Sequence, residues 1–180
     1  MGGLRYRRDR HEGGGSHYEG HGSRHEDDRG KHHDEPDKDE VLGYFESRFG
    51  LDPSVFDGYV FYIGGRGRLY LGPSADMNGL RVATTGLTIA RSDGGIKPTT
   101  NLLQCFGSRV TKNRIDISRA DAAEFIRGSD IRIDPAVLGD VSDGYVLLVY
   151  QGCPLGCGLL KQDCVKNMLP KAKRLNLQHL

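Results

Sequence analysis

The sequence lacks the features of several large classes of protein. No apolar run exceeds six residues, the longest being 145–150, whereas a membrane-spanning helix needs roughly 20. The first forty residues contain no apolar segment of the kind that a secretory signal requires, so we expect the chain to stay in the reducing cytoplasm. The four cysteines are then expected to be thiols. At 180 residues, the chain can form one domain of ordinary size or two very small ones.

Charge is uneven along the chain although the net charge is only +1. Residues 1–40 hold 8 basic and 11 acidic side chains, a balance of −3, and the other 140 residues hold 17 and 13, a balance of +4. Residues 1–36 are Gly-rich, with too few apolar side chains to offset the entropy of ordering, so we predict a disordered leader. Its histidines either belong to a solvating tail or hold a divalent metal loosely. They are His11, His17, His21, His25, His32 and His33.

Helical and extended patterns alternate between residues 37 and 128. Asp37 can cap a helix that Gly50 ends, and Ser118 can cap another that ends at Gly128. A third helix is predicted from Pro98 to Phe106. The extended runs are 59–63 and 68–71, which the glycine-rich turn 64–67 joins as a hairpin, then 80–84, 87–90 and 114–117. This pattern predicts an α+β domain over 37–128.

A second unit is predicted from residue 129 to 180. The helical pattern disappears there, and short strands alternate with Gly, Pro and Asp turns. Residues 145–150 are apolar on both faces, which predicts a central strand. The predicted strands are 131–133, 144–150, 159–160 and 164–168.

Three motifs between residues 105 and 171 resemble known RNA-binding proteins. Residues 144–158, GYVLLVYQGCPLGCG, resemble the central strand and glycine turn of a PUA domain, a small β barrel that binds structured RNA. Lys161 and then 166–171, KNMLPK, are similar to the C-terminal PUA-like segment of RsmF-type rRNA cytosine methyltransferases. Residues 105–114, CFGSRVTKNR, resemble the pre-PUA segment of Nip-type ribosome-assembly proteins. The resemblance implies an α+β pre-PUA domain followed by a PUA-like β barrel.

Basic residues cluster in two stretches that fit this resemblance. Residues 97–114 carry four cations and no acid, and residues 161–174 carry five cations and one acid, whereas 116–143 holds seven acids against three bases. Such segregation predicts that the protein has a basic face, which would bind a phosphate backbone. Alternatively, the charged clusters only keep the protein soluble. Gly152, Gly156 and Gly158 form either a tight turn that a phosphate or base can approach or only a bend in a strand. The candidate RNA-binding residues are Lys97, Arg109, Lys112, Asn113, Arg114, Gly152, Pro154, Leu155, Gly156, Lys161, Lys166, Asn167, Lys171, Lys173 and Arg174.

Catalytic chemistry has little support in the sequence. The chain has neither the length nor the βαβ alternation of the domain with which RsmF-type enzymes bind S-adenosylmethionine. Cys153, Cys157 and Cys164 depart from the spacing of a zinc knuckle, although a site with Cys105 as fourth ligand stays open. No histidine pairs with a cysteine in the body of the chain, since His179 lies in the terminal tail. We therefore expect no catalytic residue, no metal and no cofactor.

Two functions follow from the resemblance. The first is a non-catalytic protein that binds structured rRNA or tRNA in ribosome biogenesis or RNA modification. Its partners would be RNA and ribosome-assembly or RNA-modification proteins. We expect no binding to a membrane. The alternative is the detached substrate-reading subunit of an RNA 5-methylcytosine methyltransferase.

Overall fold

A computed structural model describes residues 37–73 and 86–175. The predicted leader 1–36, the predicted strand 80–84 and His179 lie outside these residues. The helices in the described part are α1 (Lys38–Phe49), α2 (Thr100–Phe106), α3 (Arg119–Arg127) and α4 (Pro135–Leu138). The strands in the same part are β1 (Tyr59–Gly64), β2 (Arg68–Pro73), β3 (Leu87–Ser92), β4 (Ile96–Pro98), β5 (Arg114–Asp116), β6 (Ile131–Arg132), β7 (Gly144–Tyr150), β8 (Cys153–Lys161) and β9 (Cys164–Asn167). Short 3₁₀ turns lie at Pro53–Phe56, Gly107–Arg109 and Lys171–Lys173.

Helix α1 begins and ends where its capping residues predict. The carboxylate of Asp37 accepts a hydrogen bond from the N–H of Asp39 at 2.9 Å, which satisfies one free donor of the first turn. Gly50 ends the helix in the left-handed conformation at φ 62°, and its N–H donates to the carbonyl of Glu46. Val41, Phe45 and Phe49 are buried along one face. This helix therefore brings its apolar face to the first core of the protein.

The first sheet is antiparallel, with the strand order β1-β2-β3-β4. The predicted hairpin of β1 and β2 is confirmed, and residues 64–67 form its turn. The prediction of α2 is also confirmed, since the hydroxyl of Thr99 caps it by accepting from the N–H of Leu102. Strand β4 was missed, because three residues are too few to show a period of two.

The second sheet has the strand order β5-β7-β8-β9-β6 and curls into a β half-barrel. Strand β5 pairs in parallel with β7, and the other pairings are antiparallel. The domain boundary predicted between residues 128 and 129 stays a prediction. It does not coincide with the division between the two sheets, because β5 pairs within the second sheet and α3 packs on that sheet. Strands β5 and β7 are about thirty residues apart in the chain, so the local sequence pattern could not predict that they pair. The expected absence of helix after residue 129 is wrong for Pro135–Leu138.

Strand β7 separates the two cores of the protein. Its residues Val146 to Val149 are all buried, which confirms the prediction of a central strand. Leu147 and Val149 pack with α1, α2 and the first sheet. Val146 and Leu148 pack with Phe125 of α3 on the other face. Because both cores share one strand, the two sheets form one packed body. None of the helices in the described part of the chain is long and apolar enough to cross a bilayer.

The tight turn predicted around Pro154 is wrong. The turn consists of Gln151 and Gly152 alone, and residues 153–161 continue as the long strand β8. Leu148 pairs with Gly156 and Val149 with Pro154, so Leu155 is the extra residue of a β-bulge. A bulge is a position where a strand tolerates proline, which explains how β8 contains one.

Gly156 is a packing position. It is buried at φ 149°, and a Cβ there would lie 2.7 Å from Cδ2 of Leu169 and 2.9 Å from Cγ2 of Thr100. Gly156 is therefore enclosed by its neighbours, and its role as an RNA contact stays a prediction. A Cβ at Gly158 would collide with Val165 in the same way. Gly156 and Gly158 are therefore positions within strand β8, whereas Gly152 lies in the turn before it.

Candidate nucleic-acid interface

The side chain of Gln104 connects the two basic stretches of the sequence. Its Nε2 donates to the carbonyl oxygen of Leu155 at 2.8 Å, and its Oε1 accepts from Nζ of Lys173 at 2.6 Å. One amide thus bridges the end of α2, the start of β8 and the 3₁₀ turn at Lys171–Lys173. Residues from 97–114 and from 161–174 meet at this point, although Gln104 and Lys173 are 69 positions apart in the chain.

The turn after β7 lies beside the same place. A Cβ on Gly107 would be 2.6 Å from Cβ of Pro154, so the 3₁₀ turn Gly107–Arg109 packs directly on the start of β8. Gly152 is exposed at φ 79°, with open space where a side chain would stand. Backbone can be approached closely there. We call the area formed by Gln104, Arg109, Gly152, Leu155, Lys171 and Lys173 the Gln104 surface.

The Gln104 surface is built from segments without acidic residues. Residues 98–115, 144–162 and 164–175 contain no Asp or Glu. Arg109 and Lys171 are exposed, and Lys173 bonds only to the neutral amide of Gln104 within the described residues. Lys112 is exposed too, but it lies beside the end of α1, where its N–H donates to the carbonyl of Phe49. Cations without carboxylate partners are free to neutralise phosphates, with release of counterions.

An aromatic side chain that the sequence analysis did not single out stands beside this surface. Tyr59 is 48% exposed, and its ring meets that of Phe106 edge to face at 6.1 Å between centroids. Phe106 packs in turn on Phe56 at 4.9 Å and directly precedes the turn that carries Arg109. An edge-to-face contact occupies at most one face of the Tyr59 ring. The contact joins strand β1 to helix α2, so no local pattern could have revealed it.

Lys161 and Lys166 lie elsewhere on the second sheet. Lys166 of β9 is paired with Leu159, and Lys161 is paired with Cys164. At about 3.3 Å per residue along β8, these positions are roughly 13 and 20 Å from Leu155. Both lysines are exposed. The structure therefore separates them from the Gln104 surface.

Asn113 and Asn167 make hydrogen bonds within the protein, and their contact with RNA stays a prediction. Nδ2 of Asn167 donates to the carbonyls of Phe125 and Ser129 at 2.6 and 3.1 Å, and its Oδ1 accepts from the N–H of Leu169. Asn113 is half-buried, and its Nδ2 donates to the carbonyl of Arg48 at 2.6 Å. Both amides have internal partners that a base edge would have to displace.

Three further predicted cations are engaged within the protein. Nζ of Lys97 lies 2.9 Å from the carboxylate of Asp93, and Arg114 bonds to both carboxylate oxygens of Asp116 at 3.2 Å. Nε of Arg174 donates to the carbonyl of Leu169 at 3.1 Å. The Arg174 side chain also packs on Gly128, where a Cβ would come within 2.5 Å of its Cδ. Arg174 therefore anchors the segment after β9.

The cysteines occupy different environments. Cys157 is buried in the first core, and burial raises the pKa of its thiol to about 12. Cys105 and Cys153 are exposed, and Cys164 is half-buried. Within residues 37–73 and 86–175, no group of His, Cys, Asp and Glu side chains could hold a metal ion. The expected absence of zinc stays a prediction.

Comparison with known proteins finds similarity in two parts of the chain. Residues 112–175 match the family model of the methyltransferase RsmF PUA domain, and residues 11–86 match a family of unknown function (DUF7122). A curated relative is the ribosomal RNA small subunit methyltransferase F of Psychromonas ingrahamii, 35% identical over 98 residues, which cover 51% of this chain and 20% of the relative. The chain thus spans a fifth of that protein's length. The RsmF match begins just before β5 and ends just after the last 3₁₀ turn, so residues 112–175 are similar to the RsmF PUA domain, and the resemblance predicted from the sequence is confirmed.

Proposed function

We propose that this chain binds structured rRNA or tRNA through the Gln104 surface, as a non-catalytic protein of ribosome biogenesis or RNA modification in the cytoplasm. One observation carries the proposal. Gln104 brings two basic stretches together at the edge of an RsmF-type PUA domain, on segments that contain no carboxylate. A polyanion is the partner that such a surface attracts.

The parts of the surface have separate tasks in this proposal. Arg109, Lys171 and Lys173 position the RNA through its phosphates, which carry no information about sequence. A phosphate or a ribose can come close to the exposed backbone at Gly152, because no side chain stands in the way. Tyr59 offers a ring face on which an unpaired base can stack, as aromatic residues do in recognition of RNA loops and bulges. The RNA is therefore expected to combine a duplex with an unpaired base.

Crosslinking in cells tests this function. RNA crosslinked to the full chain and sequenced should map to a structured region of rRNA or tRNA. A synthetic fragment of that region should then bind the purified protein in a salt-sensitive manner. Recovery of no enriched structured RNA, together with no salt-sensitive affinity for rRNA or tRNA fragments, would contradict the proposal.

A second function is favoured by the identity of the relative. The matched protein is named as an rRNA methyltransferase, and this chain aligns with a fifth of it. The chain would then present RNA to a separate catalytic subunit that methylates cytosine at carbon 5. Methyl transfer to an rRNA fragment, measured for candidate partner chains with and without this protein, separates the two functions. A rate that rises only when this chain is present supports the second.

A further inference from the structure

The register of the first sheet places three cations side by side. Arg68 of β2 lies directly opposite Arg91 of β3, and Arg91 lies directly opposite Lys97 of β4. Residues directly opposite in antiparallel strands share a face of the sheet, with Cβ atoms about 5 Å apart. We call these three residues the cation row. At about 4.8 Å between strands, the row extends roughly 10 Å across the sheet.

Such a row is unfavourable for the folded protein alone. Like charges directly opposite in a sheet destabilise it, and the described strands and turns of this sheet, 58–73 and 86–98, contain one carboxylate to offset them. Asp93 pairs with Lys97 at 2.9 Å, and this hydrogen bond lowers the pKa of Asp93. Within 58–73 and 86–98 the sequence has four cations, Arg66 being the fourth, and Asp93 is the one acid. The balance of these segments is therefore +3.

Both arginines are at least partly accessible to solvent. Arg91 is exposed and Arg68 is half-buried, and in the described part of the chain neither guanidinium has a carboxylate or carbonyl partner. Their donors are therefore free. A local arrangement that costs stability without a structural return is typical of a functional site.

We propose that the cation row binds phosphate groups of the RNA, so that the first sheet takes part in RNA binding beside the PUA domain. The inference rests on the proposed function and extends it to a surface outside the RsmF match. The first sheet lies against the second here, since Ile96, the neighbour of Lys97, and Tyr145 of β7 both pack on the first core. A single strand carries one phosphate charge per about 3.4 Å of helix axis, so a row of this length meets more than one phosphate.

The double variant Arg68→Gln/Arg91→Gln, made in the full chain, tests the proposal with a structured rRNA fragment as the probe. Two lost phosphate contacts should reduce the slope of log affinity against log salt by about 1.4 to 1.8. Between 1 M and 0.1 M salt, one decade, this slope change amounts to roughly 25- to 60-fold. Affinity at 0.1 M salt should therefore fall by that factor relative to the wild type. The melting temperature of the free protein should stay level or rise, because repulsion is relieved. Arg127→Gln is the matched control, since Arg127 is exposed but already paired with Glu124 at 2.6 Å.

The outcomes separate this inference from the proposed function. If Arg68→Gln/Arg91→Gln binds with the wild-type slope while Arg109→Gln/Lys173→Gln does not, the cation row is not an RNA site and the proposed function stands. If neither double variant changes the slope, both are wrong, and an acidic protein segment becomes the better partner for the row. Arg68→Lys/Arg91→Lys keeps the charges and should retain the slope. Should the double Gln variant fail to fold, Arg91→Gln alone is measured, with half the slope change expected and no change contradicting the inference.

Discussion

The guanidinium of Arg48 holds Ser142 by two hydrogen bonds, to its carbonyl oxygen at 2.8 Å and its hydroxyl at 2.7 Å. Nε of the same side chain donates to the carbonyl of Tyr145 at 2.7 Å. Asn113 closes the arrangement, because it accepts from the N–H of Ser142 at 2.9 Å and donates to the carbonyl of Arg48. The end of α1, the start of β5 and the loop before β7 are thereby tied together where the two cores meet.

We expect Arg48→Ala to lower the free energy of unfolding by about 1 to 3 kcal/mol, since hydrogen bonds to a charged group are lost at a half-buried site. Ser142→Ala removes the hydroxyl alone and should cost about 0.5 to 1.5 kcal/mol. Urea unfolding, followed by circular dichroism, should show one transition for each protein. Two separate transitions, or an unchanged midpoint for Arg48→Ala, would contradict this role.

Gly156 and Gly152 should respond differently to substitution. Gly156→Ala inserts a methyl group against Leu169 and Thr100, so we expect a loss of about 1 to 3 kcal/mol in stability. Gly152→Ala meets open space and should cost only about 1 kcal/mol, for the left-handed backbone. Thermal unfolding measures both. Comparable midpoints for the two variants would show that Gly156 is not held in a packed strand.

Titration of the buried groups predicts a loss of stability at alkaline pH. The pKa of the Cys157 thiol rises from 9.0 to about 12 and that of the Tyr44 hydroxyl from 10.0 to about 12 on folding, mainly through burial. The unfolded chain therefore releases protons first, so stability is fully present below pH 9 and declines from there towards pH 12. Unfolding midpoints in urea across this range test the direction. A midpoint that rises above pH 9 would contradict it.

The same burial predicts the reactivity of the thiols. At pH 8 and under native conditions, iodoacetamide should modify Cys105 and Cys153 and leave Cys157 untouched until urea is added. Mass spectrometry of tryptic peptides identifies the modified residues. Early modification of Cys157 would show that the first core opens near β8.

Tyr59 should contribute to RNA affinity through stacking. Tyr59→Leu is expected to weaken binding by about 1 to 3 kcal/mol for RNA with an unpaired base, as aromatic substitutions do at other stacking sites. Tyr59→Phe keeps the ring and serves as the matched control. Fluorescence anisotropy with a bulged fragment and its fully paired counterpart measures the difference. Equal losses for Leu and Phe would assign the effect to the hydroxyl group and exclude stacking.

The sequence predicts the local elements well and the long-range arrangement poorly. Helix caps at Asp37, Thr99 and Ser118 act through neighbouring N–H groups, so they can be identified from the sequence. Residues 145–150 are apolar on both faces of the strand, which is also a local feature, so β7 can be identified from the sequence. The pairing of β5 with β7 and the bulge at Leu155 depend on partners far along the chain.

The candidate site shows the same division. Charge segregation pointed to 97–114 and 161–174, yet the sequence could not tell exposed cations such as Arg109 from anchors such as Arg174. It also could not show that the amides of Asn113 and Asn167 are bonded internally. The cation row depends on strand register, so the sequence alone could not identify Arg68 and Arg91 as its members. Lys161 and Lys166 stay predicted contacts, on a different area from the Gln104 surface.

The central claim is that the Gln104 surface binds RNA phosphates. Its most direct test is the salt dependence of affinity for a structured rRNA fragment, measured by anisotropy for the wild type, Arg109→Gln/Lys173→Gln and Arg127→Gln. Loss of two phosphate contacts should reduce the slope of log affinity against log salt by about 1.4 to 1.8 in the double variant, while Arg127→Gln keeps the wild-type slope. A double variant that folds normally and binds with the wild-type affinity and slope would contradict the claim.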